Sequence, residues 1–281
     1  MRLSEMHLFF YHMRVFQFRL QRHLQDLFLL SRFAEERREE NLPFIVKRHQ
    51  SLLRRRLGDS DPQLQENKIV NLGIAIQKID GILIPPGKIF SVWRLVGKTS
   101  KRKGYMEGLT LSRGEVKTGV GGGLCQLSNL LYWMALHTPM KVVERHHHSF
   151  DPFPDERRVL PFGSGASLFY NYVDLRFLNT TETTFQIRLW MTDKHLKGTI
   201  YASQPLEISY SIQERKHRFL KKEGKNYREN EIWRIARDKR SGKKMGEELI
   251  IHNFAEVKYE LPDPFPPESD SMGARDAGAR M

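Results

Sequence analysis

The only cysteine of this 281-residue sequence, Cys125, stands two positions after a run of glycines that ends at Gly123. Behind it, apolar side chains recur at steps of three and four, which predicts a helix that begins near Cys125. A helix start offers unpaired backbone N–H groups and the positive end of the helix dipole, and both lower the pKa of a thiol. The pattern therefore predicts a reactive thiolate.

Three consecutive histidines, His146, His147 and His148, follow a strand-like segment at residues 142–144. A strand that returns beside the helix would bring an imidazole to the thiol, so that a nucleophile meets its general base. The same residues also have an interpretation without chemistry. A lone cysteine commonly serves as a small buried hydrophobic side chain, and glycines before a helix commonly serve a tight turn or close packing.

A zinc site is a further alternative, because Cys125, His146 and His148 are ligand types that zinc accepts. The sequence has no pair of cysteine ligands, however, and three histidines in a row cannot all converge on one ion. The spacing matches no recognised zinc pattern. We therefore predict no metal and no other cofactor.

The sequence has a net charge of +13 and a pI near 9.8, which favours an anionic partner such as lipid head groups or wall polymers. Its basic clusters are scattered and do not interleave with aromatic residues as in nucleic-acid recognition modules, so nucleic acid is not an expected partner. A single cysteine excludes an internal disulfide. The sequence does not fix an oligomeric state.

The sequence predicts a cytoplasmic protein that is at most peripheral to the membrane. No stretch approaches the roughly 20 apolar residues of a membrane span. The first helix is interrupted by charged residues, unlike the apolar core of a secretory signal. These interruptions are Arg14, Arg19, Arg22 and Asp26.

Residues 4–40 have the pattern of an amphipathic helix. One side collects Phe9, Met13, Phe16, Leu20, Leu24 and Leu27. We expect this apolar side to pack on the rest of the chain, with binding to an anionic membrane surface as the alternative.

The remaining pattern predicts an α+β fold in which a central cysteine-bearing helix packs on a mostly antiparallel sheet. A helix is expected at residues 67–78, short strands on either side of residue 86, and a strand-rich half from residue 166 onward. We divide the chain into a helical extension (1–40), a main domain (41–205), its strand-rich C-terminal part (206–261) and a disordered tail (262–281).

Several motifs occur together in the order typical of one known family, and on them the chain resembles the VanW family. The two most specific are Gly-Gly-Gly-Leu-Cys-Gln at residues 121–126 and Glu-Arg-His-His-His-Ser at residues 144–149. The other matching segments are residues 65–68, 86–87, 90–91, 131–132, 161–166, 174–175 and 227–230.

The resemblance implies a link to glycopeptide resistance or peptidoglycan metabolism. It also implies a cysteine-dependent acyltransferase or peptidase: an L,D-transpeptidase-like acyl transfer, or a hydrolysis, through a thioester on Cys125, with a peptidoglycan-type peptide as substrate. His146 or His148 would be the general base, and Asp174 would orient the imidazole. A non-catalytic accessory protein that binds wall precursors or an anionic surface is the alternative function.

Five further residues complete the predicted site. By the same resemblance, the backbone N–H groups of Gly121, Gly122 and Gly123 would stabilise the oxyanion of a tetrahedral intermediate, together with that of Cys125 itself. Gln126, next to the thiol, is a candidate for an additional donor. Arg145 is a candidate for binding a substrate carboxylate, with an ion pair to a nearby acid as its alternative role.

Overall fold

The computed structural model describes residues 8–54, 61–112, 115–147, 150–151 and 160–261. The α-helices of these ranges are α1 (Leu8–Leu27), α2 (Gln63–Ile79), α3 (Val92–Val96) and α4 (Cys125–Ala135). Short 3-10 turns occupy Leu30–Arg32 and Lys101–Lys103.

The strands form three larger sheets and one hairpin, and their pairs are antiparallel except for β13 with β7. The sheet orders are β1-β10-β9-β2, β11-β12-β13-β7 and β3-β8-β6, and the hairpin is β4-β5. The strands are β1 (Phe44–Leu52), β2 (Leu83–Ile84), β3 (Ile89–Ser91), β4 (Glu107–Ser112), β5 (Glu115–Val120), β6 (Lys141–Glu144), β7 (Phe150–Asp151), β8 (Arg176–Leu178), β9 (Phe185–Met191), β10 (His195–Ala202), β11 (Ile208–Lys222), β12 (Lys225–Asp238) and β13 (Lys244–Val257). The predicted α+β class with mostly antiparallel sheets is confirmed.

The cysteine-bearing helix α4 lies at the centre of the core and packs on β1 and β10. Its apolar residues at the predicted spacing, including Leu127, Leu131 and Met134, are completely buried. At Gly198 of β10, a Cβ atom would lie only 2.7 Å from the Met134 side chain and 2.8 Å from that of Leu130. A side chain at this position would force both helix side chains to shift, because the helix lies directly on the strand.

Three local predictions were wrong. The first helix ends at Leu27 rather than near residue 40, and a 3-10 turn follows it; residues 4–7 lie outside the described ranges. The basic segment after residue 42, where no strand was expected, contains β1, an edge strand whose charged side chains hid its strand pattern. Residues 168–172 form no strand beyond the isolated bridge between Phe169 and Val173.

The orientation of α1 is the reverse of the expected one. Its apolar side is exposed: Phe9, Phe16 and Leu27 are 68%, 69% and 58% exposed. The opposite side docks on the domain mostly through polar contacts. These are Arg19 Nε to the Tyr170 carbonyl (2.7 Å), Arg22 to Glu144 (2.6 Å), Asp26 to Arg176, and stacking of Phe18 on Tyr172. The expectation that the apolar side packs on the rest of the chain was wrong.

A buried cluster of charges explains this orientation. Arg176 of β8, whose side chain is only 5% exposed, donates two hydrogen bonds to the carboxylate of Asp26 at 2.8 and 2.9 Å. It also donates to Asp174 at 2.9 Å and lies 3.4 Å from Glu144. The completely buried Asp174 accepts a further hydrogen bond from the hydroxyl of Ser91. A buried guanidinium needs carboxylate partners, and α1 supplies one of them.

Replacing Asp174 with Asn should destabilise the fold by roughly 3 kcal/mol or more, because removal of one partner leaves a buried charge without full compensation. Urea unfolding followed by circular dichroism measures this. The matched control is Asp193→Asn, at an exposed position between β9 and β10. Equal stabilities for the two variants would contradict the role assigned to the cluster.

Candidate functional site

Cys125 is the first residue of α4, as the sequence predicted. The residue is half-buried, and this burial raises the pKa of its thiol. Backbone N–H groups of Leu168 and of Cys125 itself act in the opposite direction but do not cancel the effect of burial. The pKa is therefore shifted opposite to the direction predicted from the helix start.

The segment around Leu168 is held over the start of α4 by two helix side chains that the sequence analysis missed. The Ser128 hydroxyl donates to the Ala166 carbonyl at 2.6 Å, and the Asn129 side-chain oxygen accepts from the Ala166 N–H at 2.7 Å. Two adjacent polar residues inside an otherwise apolar helix were the signal that could have revealed this contact. Together they fix Ala166 against α4, two residues before Leu168.

The backbone of His146 is bonded to the segment that precedes Leu168, and its imidazole is turned toward Glu144. Its carbonyl accepts a hydrogen bond from the Ser167 N–H at 2.8 Å, next to Leu168. Its Nε2 lies 3.4 Å from the Glu144 carboxylate. The hydrogen bonds described for His146 thus do not include the thiol. His148, the other candidate base, lies outside the described residues.

The carboxylate beside the imidazole is Glu144, whereas Asp174 is engaged with Ser91 and Arg176. The backbone N–H of Asp174 donates to Glu144 at 3.0 Å, so Asp174 supports Glu144 and is linked to the imidazole only through it. Strand periodicity could have identified Glu144, because residues two apart on an extended chain point to the same side.

Burial by itself would raise the pKa of Glu144. The hydrogen bond with His146 and the positive charges of Arg22 and Arg176 outweigh burial, and they hold the pKa of this carboxyl below its ordinary value. Glu144 is therefore a carboxylate at neutral pH.

The three glycines before the cysteine use their N–H groups within the fold. Gly121 donates to the Met106 carbonyl, Gly122 to that of Gly119 and Gly123 to that of Leu109, at 2.9 to 3.0 Å. A Cβ atom at Gly122 would lie 2.1 Å from the backbone oxygen of Gly108. Close packing of the turn against β4 accounts for this glycine, and the three N–H groups are already paired in this structure.

Gln126 and Arg145 also contact the protein backbone. The Gln126 amide donates to the Ser51 hydroxyl at 2.9 Å and to the Leu52 carbonyl at 2.7 Å, which ties α4 to the end of β1. Arg145 donates to the carbonyls of Gly165 (2.8 Å) and Gly163, and its guanidinium lies over the Tyr132 ring. Within the described part of the chain, Arg145 makes these carbonyl contacts and not the predicted ion pair with an acid.

Among the described residues, no group of three or more His, Cys, Asp or Glu side chains is arranged to hold a metal ion. No helix in the same part of the chain is long and apolar enough to cross a membrane.

Comparison with known proteins identifies the family. The model for "VanW like protein" matches residues 67–201. Vancomycin B-type resistance protein VanW of Enterococcus faecalis (strain ATCC 700802 / V583) is 31% identical over 231 residues, which cover 82% of this chain and 84% of that protein. The chain belongs to the VanW family.

A second relative is the uncharacterized protein YoaR of Bacillus subtilis (strain 168). It is 28% identical over 136 residues, which cover 47% of this chain and 42% of that protein. No solved structure matches the chain. The VanW match includes Cys125 and His146, and therefore the whole candidate site around the start of α4.

Alkylation of Cys125 by iodoacetamide should follow a pH profile whose midpoint lies above that of the same thiol in urea. Only the thiolate reacts, and the raised pKa leaves a smaller thiolate fraction at a given pH in the folded chain. Because Cys125 is the only thiol of the chain, the rate reports one group. A folded-state midpoint below the unfolded one would contradict the described environment.

Proposed function

We propose that this chain acts in glycopeptide resistance through peptidoglycan metabolism, and that Cys125 is its reacting group. The Enterococcus relative is named for vancomycin resistance, and 31% identity over most of both chains supports the same process here. The observation that carries the assignment of Cys125 is its position. The only thiol of the chain belongs to the first residue of α4, beside the segment that Ser128 and Asn129 hold against the helix.

The proposed reaction is an L,D-transpeptidase-like acyl transfer. The Cys125 thiolate attacks a carbonyl carbon of a peptidoglycan-type peptide, and the amine leaves with a proton delivered by an imidazolium. The product is a thioester on Cys125. An acceptor amine or water then attacks the thioester and gives up a proton, and the thiol is restored.

His146 or His148 is the base in this proposal. For His146, the proposal requires the imidazole to turn from Glu144 toward the thiol, and the Ser167 hydrogen bond already holds its backbone near that position. Glu144 then takes the orienting role first assigned to Asp174, because its carboxylate already lies beside the imidazole. The Leu168 N–H replaces the paired glycine N–H groups as the candidate oxyanion donor.

A second candidate function is a non-catalytic accessory protein that binds wall precursors. Three observations favour it: the raised pKa of Cys125, the turn of His146 toward Glu144, and the paired N–H groups of Gly121, Gly122 and Gly123. In this alternative the thiol is part of the packing at the start of α4.

Incubation with a synthetic stem tetrapeptide that ends in Lys–D-Ala should produce a covalent adduct, visible as an increase in intact mass with release of D-alanine. The adduct should disappear in Cys125→Ala and form at least about tenfold more slowly in His146→Gln, since base catalysis contributes factors of this order or more. His23→Gln, at an exposed position on α1, is the matched control. Peptide binding without any adduct, unchanged in Cys125→Ala, would contradict catalysis and support the accessory function.

A further inference from the structure

One side of α1 forms an exposed row of large apolar residues, here called the apolar stripe. Each member is at least 49% exposed, and Phe28 reaches 88%. The members are Phe9, Met13, Phe16, Leu20, Leu24, Leu27 and Phe28. Soluble proteins seldom leave so large a contiguous apolar surface without a binding partner.

The fold holds the stripe outward. On the opposite side of α1, Arg22 pairs with Glu144 at 2.6 Å and Asp26 forms two hydrogen bonds with Arg176. Rotation of the helix to bury the stripe would break these contacts and leave Arg176 without one of its carboxylates. The ion pairs on the opposite side of α1 therefore keep the stripe exposed.

The exposed charged side chains around the stripe are positive. Asp26 is the only acidic residue between positions 8 and 34, and it is bound by Arg176. Arg14 and Arg32 are exposed, as are His12 and His23. The described part of α1 and the 3-10 turn after it thus combine exposed aromatic and aliphatic side chains with Arg14 and Arg32, and their one carboxylate is bound by Arg176.

We propose that the apolar stripe binds the surface of an anionic lipid bilayer, with α1 lying in the plane of the interface. A helix of 20 residues presents about 30 Å of contact along such a surface. Phenylalanine and leucine insert at the boundary between head groups and acyl chains, while arginines at the edges contact anionic head groups. This inference does not depend on chemistry at Cys125.

Charge complementarity favours a bilayer over a second copy of the chain. Two copies paired through their stripes would bring Arg14 and Arg32 toward a surface that offers the same cations and glutamines. No carboxylate of α1 would be available to pair with them, because Asp26 faces Arg176. Anionic lipids supply the missing negative charge.

Flotation of the full chain with phosphatidylglycerol-containing vesicles tests the proposal. The chain should bind these vesicles, and the double variant Phe16→Gln and Leu20→Gln should bind at least about tenfold more weakly, because two apolar side chains no longer leave water. The matched control replaces Met245 and Leu249 of β13 with Gln; both are exposed apolar residues outside α1. Circular dichroism verifies that the variants fold.

The double variant Arg14→Gln and Arg32→Gln should bind the anionic vesicles more weakly than the unchanged chain does. The unchanged chain should bind pure phosphatidylcholine vesicles more weakly than it binds the anionic vesicles. Equal binding by the stripe variant and the β13 control would overturn the proposal. It would also be overturned by equal binding to neutral and anionic vesicles. A dimer in sedimentation velocity that the stripe variant abolishes, without vesicle binding, would assign the stripe to a second copy instead.

Discussion

The pairing of Arg176 with its carboxylates is the interaction on which the arrangement of the described chain depends. A guanidinium that is only 5% exposed loses its hydration, and only closely placed carboxylates compensate for that loss. They come from three places: Asp26 on α1, Asp174 beside β8 and Glu144 at the end of β6. One buried charge therefore connects a peripheral helix, a strand and the segment that leads into the histidines.

This cluster links the two surfaces to which we assign function. On one side it fixes the polar face of α1 to the domain and leaves the apolar stripe in solvent. On the other it places Glu144 where its carboxylate reaches His146 at 3.4 Å. The position of the imidazole and the exposure of the stripe thus have a common cause, although the candidate site and the stripe lie on different elements.

The sequence was sufficient to predict those elements whose pattern lies in neighbouring residues. The apolar spacing behind Cys125 defined α4, and the alternation of the C-terminal half indicated its antiparallel strands. The sequence was insufficient to predict contacts between residues that are far apart along the chain. Periodicity shows that the apolar residues of α1 share a face but not what covers that face, and Asp26 looked like an interruption until Arg176 was found beside it.

In the candidate site, too, features set by neighbouring residues could be predicted, and features set by distant residues could not. The position of Cys125 at a helix start followed from neighbouring residues, whereas the pKa of the thiol depends on burial by segments far along the chain. The N–H groups of Gly121 and Gly123 are paired with carbonyls on and before β4, which their own spacing could not reveal. Glu144 could have been found by strand periodicity from His146, but the family resemblance directed attention to Asp174.

Hydrogen exchange of the α1 amides in Asp26→Asn tests the role of the charge cluster most directly. Loss of the carboxylate should release the helix, so residues 8–27 should exchange at least about tenfold faster while α4 keeps its protection, as expected for a local opening. Glu182→Gln, at an exposed position outside the cluster, should leave both helices unchanged. Unchanged exchange of α1 in Asp26→Asn, or equal acceleration of α1 and α4, would contradict the claim that this ion pair holds the helix in its orientation.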